Sequence, residues 1–208
     1  MIKHLIFDFD GTISDSYPHF ADFFRKFGKE RKLPLPENDF DLLKLLLISI
    51  KDAFFMLGWD SYVPYSVFEQ EYFATQREKF MEFRAFPEAV DLLKYATEKG
   101  IDCYVYTHSG KVVPEKMLPN MGVDLYITFT IDRSMDFPGK PAPDALLFLI
   151  DKFGLNPEEC MMIGDRPIDA LCGMNAGMKG CLWDTYGIFK DAKTDFYVTR
   201  LEDVKKFV

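Results

Sequence analysis

The sequence predicts an α/β fold: a parallel sheet with helices on both faces, interrupted after its first strand by an all-helical insertion. Three observations carry that expectation. The apolar run KHLIFDF at residues 3–9 reads as a buried strand. From about residue 14 to 84, apolar residues recur at helical spacing with no strand pattern among them. Beyond residue 84, strand-like and helix-like stretches alternate, which is the rhythm of strand–helix–strand crossovers.

Within the insertion, helices are predicted near 18–31, 38–57 and 64–83, with Pro and Gly breaking the pattern at LPLPEN and GWDSYVPYS. Phe20, Phe23, Phe24, Phe27, Phe40, Phe54, Phe55, Phe68, Phe73, Phe80 and Phe83 crowd this stretch and predict the core of a small bundle, a few being free to face a substrate. After it, PEAVDLLKYATEKG is a helix with Pro87 in its first turn and Gly100 as its stop. IDCYVYT (101–107) and YITFT (126–130) follow as strands, then the helix PDALLFLIDKFG (143–154). CMMIGD (160–165) is a strand, PIDALCGMNAG (167–177) a helix, GCLWD (180–184) a strand and DFYVT (195–199) a last short one before a helix-like C-terminus. The predicted domains are a core at 1–14 and 84–208 and a helical domain at 15–83.

A chain of 208 residues, 48% hydrophobic, supplies one sizeable core and a smaller insert. The net charge of -8 argues against a nucleic acid partner and suits a site that recruits a cation to hold an anion. Asp8 and Asp10 break the first apolar run, so it is no signal peptide; the run 42–50 contains Lys44 and is too short to span a bilayer. A cytoplasmic protein without membrane partners is expected, as a monomer or homodimer. Cys103, Cys160, Cys172 and Cys181 show no C-x-x-C spacing and read as buried free thiols.

In a parallel sheet, ligands bind beyond the carboxyl ends of the strands. Asp8 and Asp10 end the first strand, Thr107 the second and Asp165 the strand CMMIG, while Lys140 lies in the loop after the third strand. Each has an ordinary reading alone: a strand-end hydroxyl, a solvated lysine, a helix N-cap, even a calcium-binding turn. Their joint placement at one sheet edge is the feature that needs explaining. Asp8 and Asp10, two apart, point the same way on an extended chain, and Gly11 lets the backbone turn close to a ligand. Two such carboxylates resist ionising together unless a cation neutralises them. With Asp165 and Asp169 the donors are all oxygen, which suits a hard cation, Mg2+ first. Lys140 adds fixed charge and Thr107 a hydroxyl, so the set fits a phosphoryl group: a carboxylate nucleophile, a metal and donors for the phosphoryl oxygens.

These residues stand in four stretches, DFDGT, VYTHSG, GKPAPD and MIGDRPIDALCGMNAGM, in that order, and on them the chain resembles the haloacid dehalogenase superfamily of phosphohydrolases. The likeness covers residues 1–16 and about 84–184, and the insertion falls where the phosphoglycolate phosphatase and beta-phosphoglucomutase group carries a helical cap. The resemblance implies a Rossmann-like core with a helical cap acting on a small phosphorylated metabolite. It implies that Asp8 is the nucleophile and that Asp10 protonates the leaving alcohol and then deprotonates water. It implies Mg2+ held by Asp8, the Asp10 carbonyl and Asp165, with Asp169 in support. It implies phosphoryl oxygens held by Thr107, Lys140 and backbone N–H groups near Phe9, Gly11 and His108. An acid at Asp10 favours phosphate esters over carbon–halogen bonds, since a halide leaves without a proton.

The insertion departs from the group's pattern, with no glycine between residues 40 and 57. His19, Lys44 and Lys51 are candidate substrate contacts there, although a lysine on a helix face is ordinarily solvated. His108 stands where relatives often have Asn, and its backbone is expected to matter more than its ring. A phosphomutase with the same core, and a non-catalytic binding protein on the same scaffold, are the alternatives to a phosphatase.

Overall fold

The computed structural model describes all 208 residues, which divide into two compact units, Met1–Asp15 with Arg84–Val208, and Ser16–Phe83. The first unit is a six-stranded, all-parallel sheet: β1 (His4–Phe7), β2 (Asp102–Tyr106), β3 (Ile127–Ile131), β4 (Cys160–Gly164), β5 (Lys179–Trp183) and β6 (Phe196–Val198). Their spatial order is β3-β2-β1-β4-β5-β6. The chain winds one way from β1 to β3 and then restarts at β4 on the other side of β1, which makes the β1/β4 boundary the topological switch point.

The second unit holds α1 (Tyr17–Arg31), α2 (Asp39–Ile48), α3 (Ile50–Met56) and α4 (Tyr65–Lys79). It has no strand, and rings form its core: Phe24, Phe27, Phe54, Trp59 and Phe68 are buried, and the Trp59 indole N–H donates to the Pro34 carbonyl at 2.7 Å. Phe40 and Phe55 stay exposed, at 50% and 43%, and so are not core as the composition suggested. The single helix expected over 38–57 is two. Ser49 takes an extended backbone, ends α2, and caps α3 by accepting the Asp52 N–H at 2.9 Å. The missed signal is Ser-x-x-Asp, a capping pattern hidden inside an apolar run.

In the sheet unit, α5 (Pro87–Glu98) packs against β2, while α7 (Asp144–Phe153) and α8 (Pro167–Asn175) cover the opposite face. Right-handed crossovers dictate this division: connections running one way along the sheet put their helices on one face, and those running back put theirs on the other. Ile6, Tyr104 and Met162 of the face under α7 and α8 pack with Leu146 and Leu149 of α7 and Cys172 of α8 in one core cluster. The alternate residues Leu5, Phe7, Val105 and Ile163 are equally buried, as strands covered on both faces require. Residues 113–121, where no helix is expected from the sequence, form a π-helical turn (Val113–Met117) running into the short α6 (Leu118–Met121). The C-terminal segment is a 3-10 helix, Leu201–Lys206.

Candidate active site

β1 ends at Phe7, and its parallel pairing with β4 sets the depth of everything that follows. The Asp8 N–H donates to the Ile163 carbonyl at 2.8 Å, which carries the sheet pattern one residue past the strand and fixes Asp8 at the rim. Beyond it the chain turns sharply. The Phe9 carbonyl accepts from the N–H groups of Ile13 and Ser14 at 3.0 and 2.8 Å, and Gly11 sits at φ 80°, a left-handed backbone that a side chain would strain. That turn brings Thr12 round so that its hydroxyl donates to Asp165 Oδ1 at 3.3 Å, across 153 residues of sequence. Thr12 was not singled out in the sequence, although DFDGT contains it.

Asp8 is 3% exposed, Asp165 3%, Asp169 0% and Lys140 7%. The Lys140 ammonium lies 2.5 Å from Asp8 Oδ1 and 2.8 Å from Asp169 Oδ1, bridging the two carboxylates. Asp169 occupies the first turn of α8, where its other oxygen accepts the Arg166 N–H at 3.1 Å. It reaches the strand end because Gly164 has no side chain: a Cβ there would stand 2.2 Å from the Asp169 Cβ. Thr107 directly follows β2 and is 1% exposed; its N–H donates to the Ile131 carbonyl at 2.9 Å and its Oγ1 accepts the Ser109 N–H at 3.0 Å. Asp10, half-buried, accepts the Ser109 hydroxyl at 2.8 Å.

Burial drives the electrostatics. It pushes the Asp8 carboxyl up to about 6, against the pull of the Lys140 ammonium. Burial would raise Asp169 as well, yet Lys140 and Arg166 hold it below the usual carboxylate range. Lys140, which burial alone would lower, is raised by the two carboxylates it bridges, so it stays an ammonium. The His108 ring also has a task. Its Nε2 accepts the Lys140 N–H at 3.0 Å, so the ring supports the lysine loop. Burial, with Lys140 and Arg166 nearby, holds that imidazole down at about 4, in the neutral form such an acceptor requires.

The residues present fit a divalent cation. Carboxylate oxygens of Asp8, Asp165 and Asp169 lie within 4.8 Å of one another, and Asp8 Oδ2 is buried with no hydrogen-bond partner. A buried anionic oxygen without a donor is costly, and a hard cation is the partner that an all-oxygen cluster selects.

His19, Lys44 and Lys51 belong to the helical unit. His19 stacks on Phe83, ring centroids 4.3 Å apart. Lys44 pairs with Asp41 at 2.6 Å and lies over the Phe40 ring, and Lys51 is exposed with its ammonium 5.9 Å from the Tyr65 ring.

A model of the haloacid dehalogenase-like hydrolases matches residues 2–177. The chain belongs to the haloacid dehalogenase-like hydrolase family. Among relatives of this hydrolase, phosphoglycolate phosphatase 1 of Pseudomonas aeruginosa is 30% identical over 102 residues, 49% of this chain but only 37% of that protein, so the match spans well under half of the relative. The phosphoglycolate phosphatase of Aquifex aeolicus is 25% identical over 221 residues, covering 100% of this chain and 97% of its own. The crystal structure of a predicted phosphoglycolate phosphatase from Haemophilus somnus superposes with a TM-score of 0.84 at 21% identity, covering 99% of this chain and 97% of that one; it shares the fold. No helix of the hydrolase is long and apolar enough to cross a membrane.

Proposed function

We propose that this hydrolase is a Mg2+-dependent phosphatase that cleaves a small phosphorylated metabolite, of the phosphoglycolate or sugar phosphate type, through an aspartyl-phosphate on Asp8. The observation that carries the reading is the buried Lys140 ammonium bridging Asp8 and Asp169, with Asp165 close by, at the switch point of the sheet. A surface ion pair would need no such burial, and a purely structural one would not leave Asp8 Oδ2 without a donor.

In this reading an Asp8 oxygen attacks phosphorus, the P–O bond to the alcohol breaks, and its electron pair leaves with the alcohol oxygen. Asp10 gives that oxygen a proton. Asp10 then takes a proton from water as the water attacks the aspartyl-phosphate, releasing orthophosphate and restoring the Asp8 carboxylate. Lys140 and the Thr107 hydroxyl, with backbone N–H groups at Phe9, Gly11 and His108, hold the phosphoryl oxygens as charge develops. Asp8, the Asp10 carbonyl, Asp165 and Asp169 would hold Mg2+, which when bound supplies positive charge against the crowded carboxylates and the phosphoryl group. The helical unit is the cap of this reading, with His19, Lys44 and Lys51 as candidate substrate contacts, and the four buried free thiols support a reducing, cytoplasmic setting.

The test is a screen of phosphorylated metabolites with Mg2+, with Asp8→Asn and EDTA as controls. Orthophosphate release that both controls abolish is expected. Activity surviving in Asp8→Asn would remove Asp8 as nucleophile, and phosphate appearing on a second hydroxyl of the substrate rather than in solution would identify a mutase.

A further inference from the structure

We infer that Ser109 is a positioning residue that fixes the orientation of the Asp10 carboxyl for proton transfer. The inference rests on the phosphatase reading above and deepens it. Ser109 uses all three of its polar groups on the site. Its hydroxyl donates to Asp10 Oδ2 at 2.8 Å, its N–H donates to Thr107 Oγ1 at 3.0 Å, and its carbonyl accepts the Arg133 N–H at 3.0 Å. One residue thus ties the proposed acid/base to the hydroxyl that would hold phosphate, and ties both to the segment leaving β3. Ser109 and Asp10 are 99 residues apart in sequence, so the contact exists only in the folded chain.

A hydroxyl both donates and accepts, so its contact with Oδ2 persists whether Asp10 is ionised or protonated. Rotation about χ2 is broad for an aspartate, and a bond at 2.8 Å to one of its oxygens narrows that rotation before the alcohol leaves. The Ser109 hydroxyl touches neither phosphorus nor the leaving oxygen and acts through Asp10.

A positioning role has a signature that a packing role lacks: the damage depends on how much the leaving group needs a proton. The experiment compares kcat/KM, which reports the steps through alcohol departure, for Ser109→Ala, Ser109→Thr and the unmutated protein with Mg2+. Two esters are used: an alkyl phosphate drawn from the metabolite screen and p-nitrophenyl phosphate, whose phenolate leaves without help. Ser109→Ala is expected to lower kcat/KM for the alkyl ester about tenfold, a fraction of what general acid catalysis contributes, and for the aryl ester less than about twofold. Ser109→Thr, which keeps the hydroxyl, is expected to recover most of the loss. Orthophosphate binding by calorimetry is expected to be the same in all three proteins, which guards against a collapsed site. Equal losses on the two esters, or no loss on the alkyl ester, would overturn the inference while leaving the phosphatase reading intact. Failure of the unmutated protein to hydrolyse any ester would overturn the phosphatase reading, and the inference with it.

Discussion

Replacing Gly164 by Ala adds a single methyl group, and the structure says where it must go. The new Cβ would lie 2.2 Å from the Asp169 Cβ, 2.4 Å from its Cγ and 2.5 Å from Oδ2. Carbon atoms rest about 3.5–4.0 Å apart, so the end of β4 and the start of α8 must separate by roughly 1.3–1.8 Å. Neither side yields easily, because Asp169 is held by its own helix turn and by Lys140 at 2.8 Å. Separation on that scale takes the Lys140–Asp169 contact to beyond about 4 Å, outside hydrogen-bond range. Overpacking a core costs about 1–3 kcal/mol, which in a chain of this size corresponds to a fall in Tm of roughly 3–10 °C. A misplacement of about 1 Å at a reacting group costs on the order of a hundredfold in rate, so kcat should fall on that scale even where the protein stays folded. Thermal unfolding and steady-state turnover on one substrate from the screen measure both quantities. A Gly164→Ala protein with unchanged Tm and turnover within about threefold of the original would refute the claim that this close approach sets the site.

Lys140→Met leaves Asp8 and Asp169 buried without the cation between them, and truncating one member of a buried ionic cluster costs about 3–5 kcal/mol; loss of turnover together with a marked fall in Tm is expected, and an unchanged Tm would show that the bridge contributes nothing to folding. His108 is held neutral down to about 4, whereas the unfolded chain takes up that proton at its ordinary value of 6.5, so its contribution to stability is present above that value and lost as pH falls through the window between them. His108→Gln keeps an acceptor at similar reach without the titration, and urea unfolding should show it losing less stability than the original protein on going from about pH 7 to about pH 5; equal losses would exclude His108 as a source of acid sensitivity.

Much of the site could be read from the chain because short-range rules place it. Asp8 follows a run of residues that has to be a buried strand, Thr107 and Asp165 follow two others, and Gly11 stands where the backbone turns with positive φ. What escaped notice has no local signal, or one that a louder signal covered. Ser109 and Thr12 are ordinary hydroxyl residues until the fold sets them against Asp10 and Asp165. The His108 ring gained its role from the lysine loop 32 residues away. Ser49 did carry a signal, a cap three residues before Asp52, but it sat inside an apolar stretch whose periodicity argued for one unbroken helix.

The sequence by itself determined the alternation of strands and helices, the position of the helical insertion, and which acids and threonine stand at strand ends, because periodicity and backbone turning are properties of neighbouring residues. Only the tertiary structure decided which of those groups touch, which oxygen of Asp8 lacks a donor, and how steeply burial shifts its proton affinity. Those quantities depend on distance and dielectric across strands that pair side by side while lying up to about 150 residues apart along the chain, and neither is encoded in any stretch short enough to read locally.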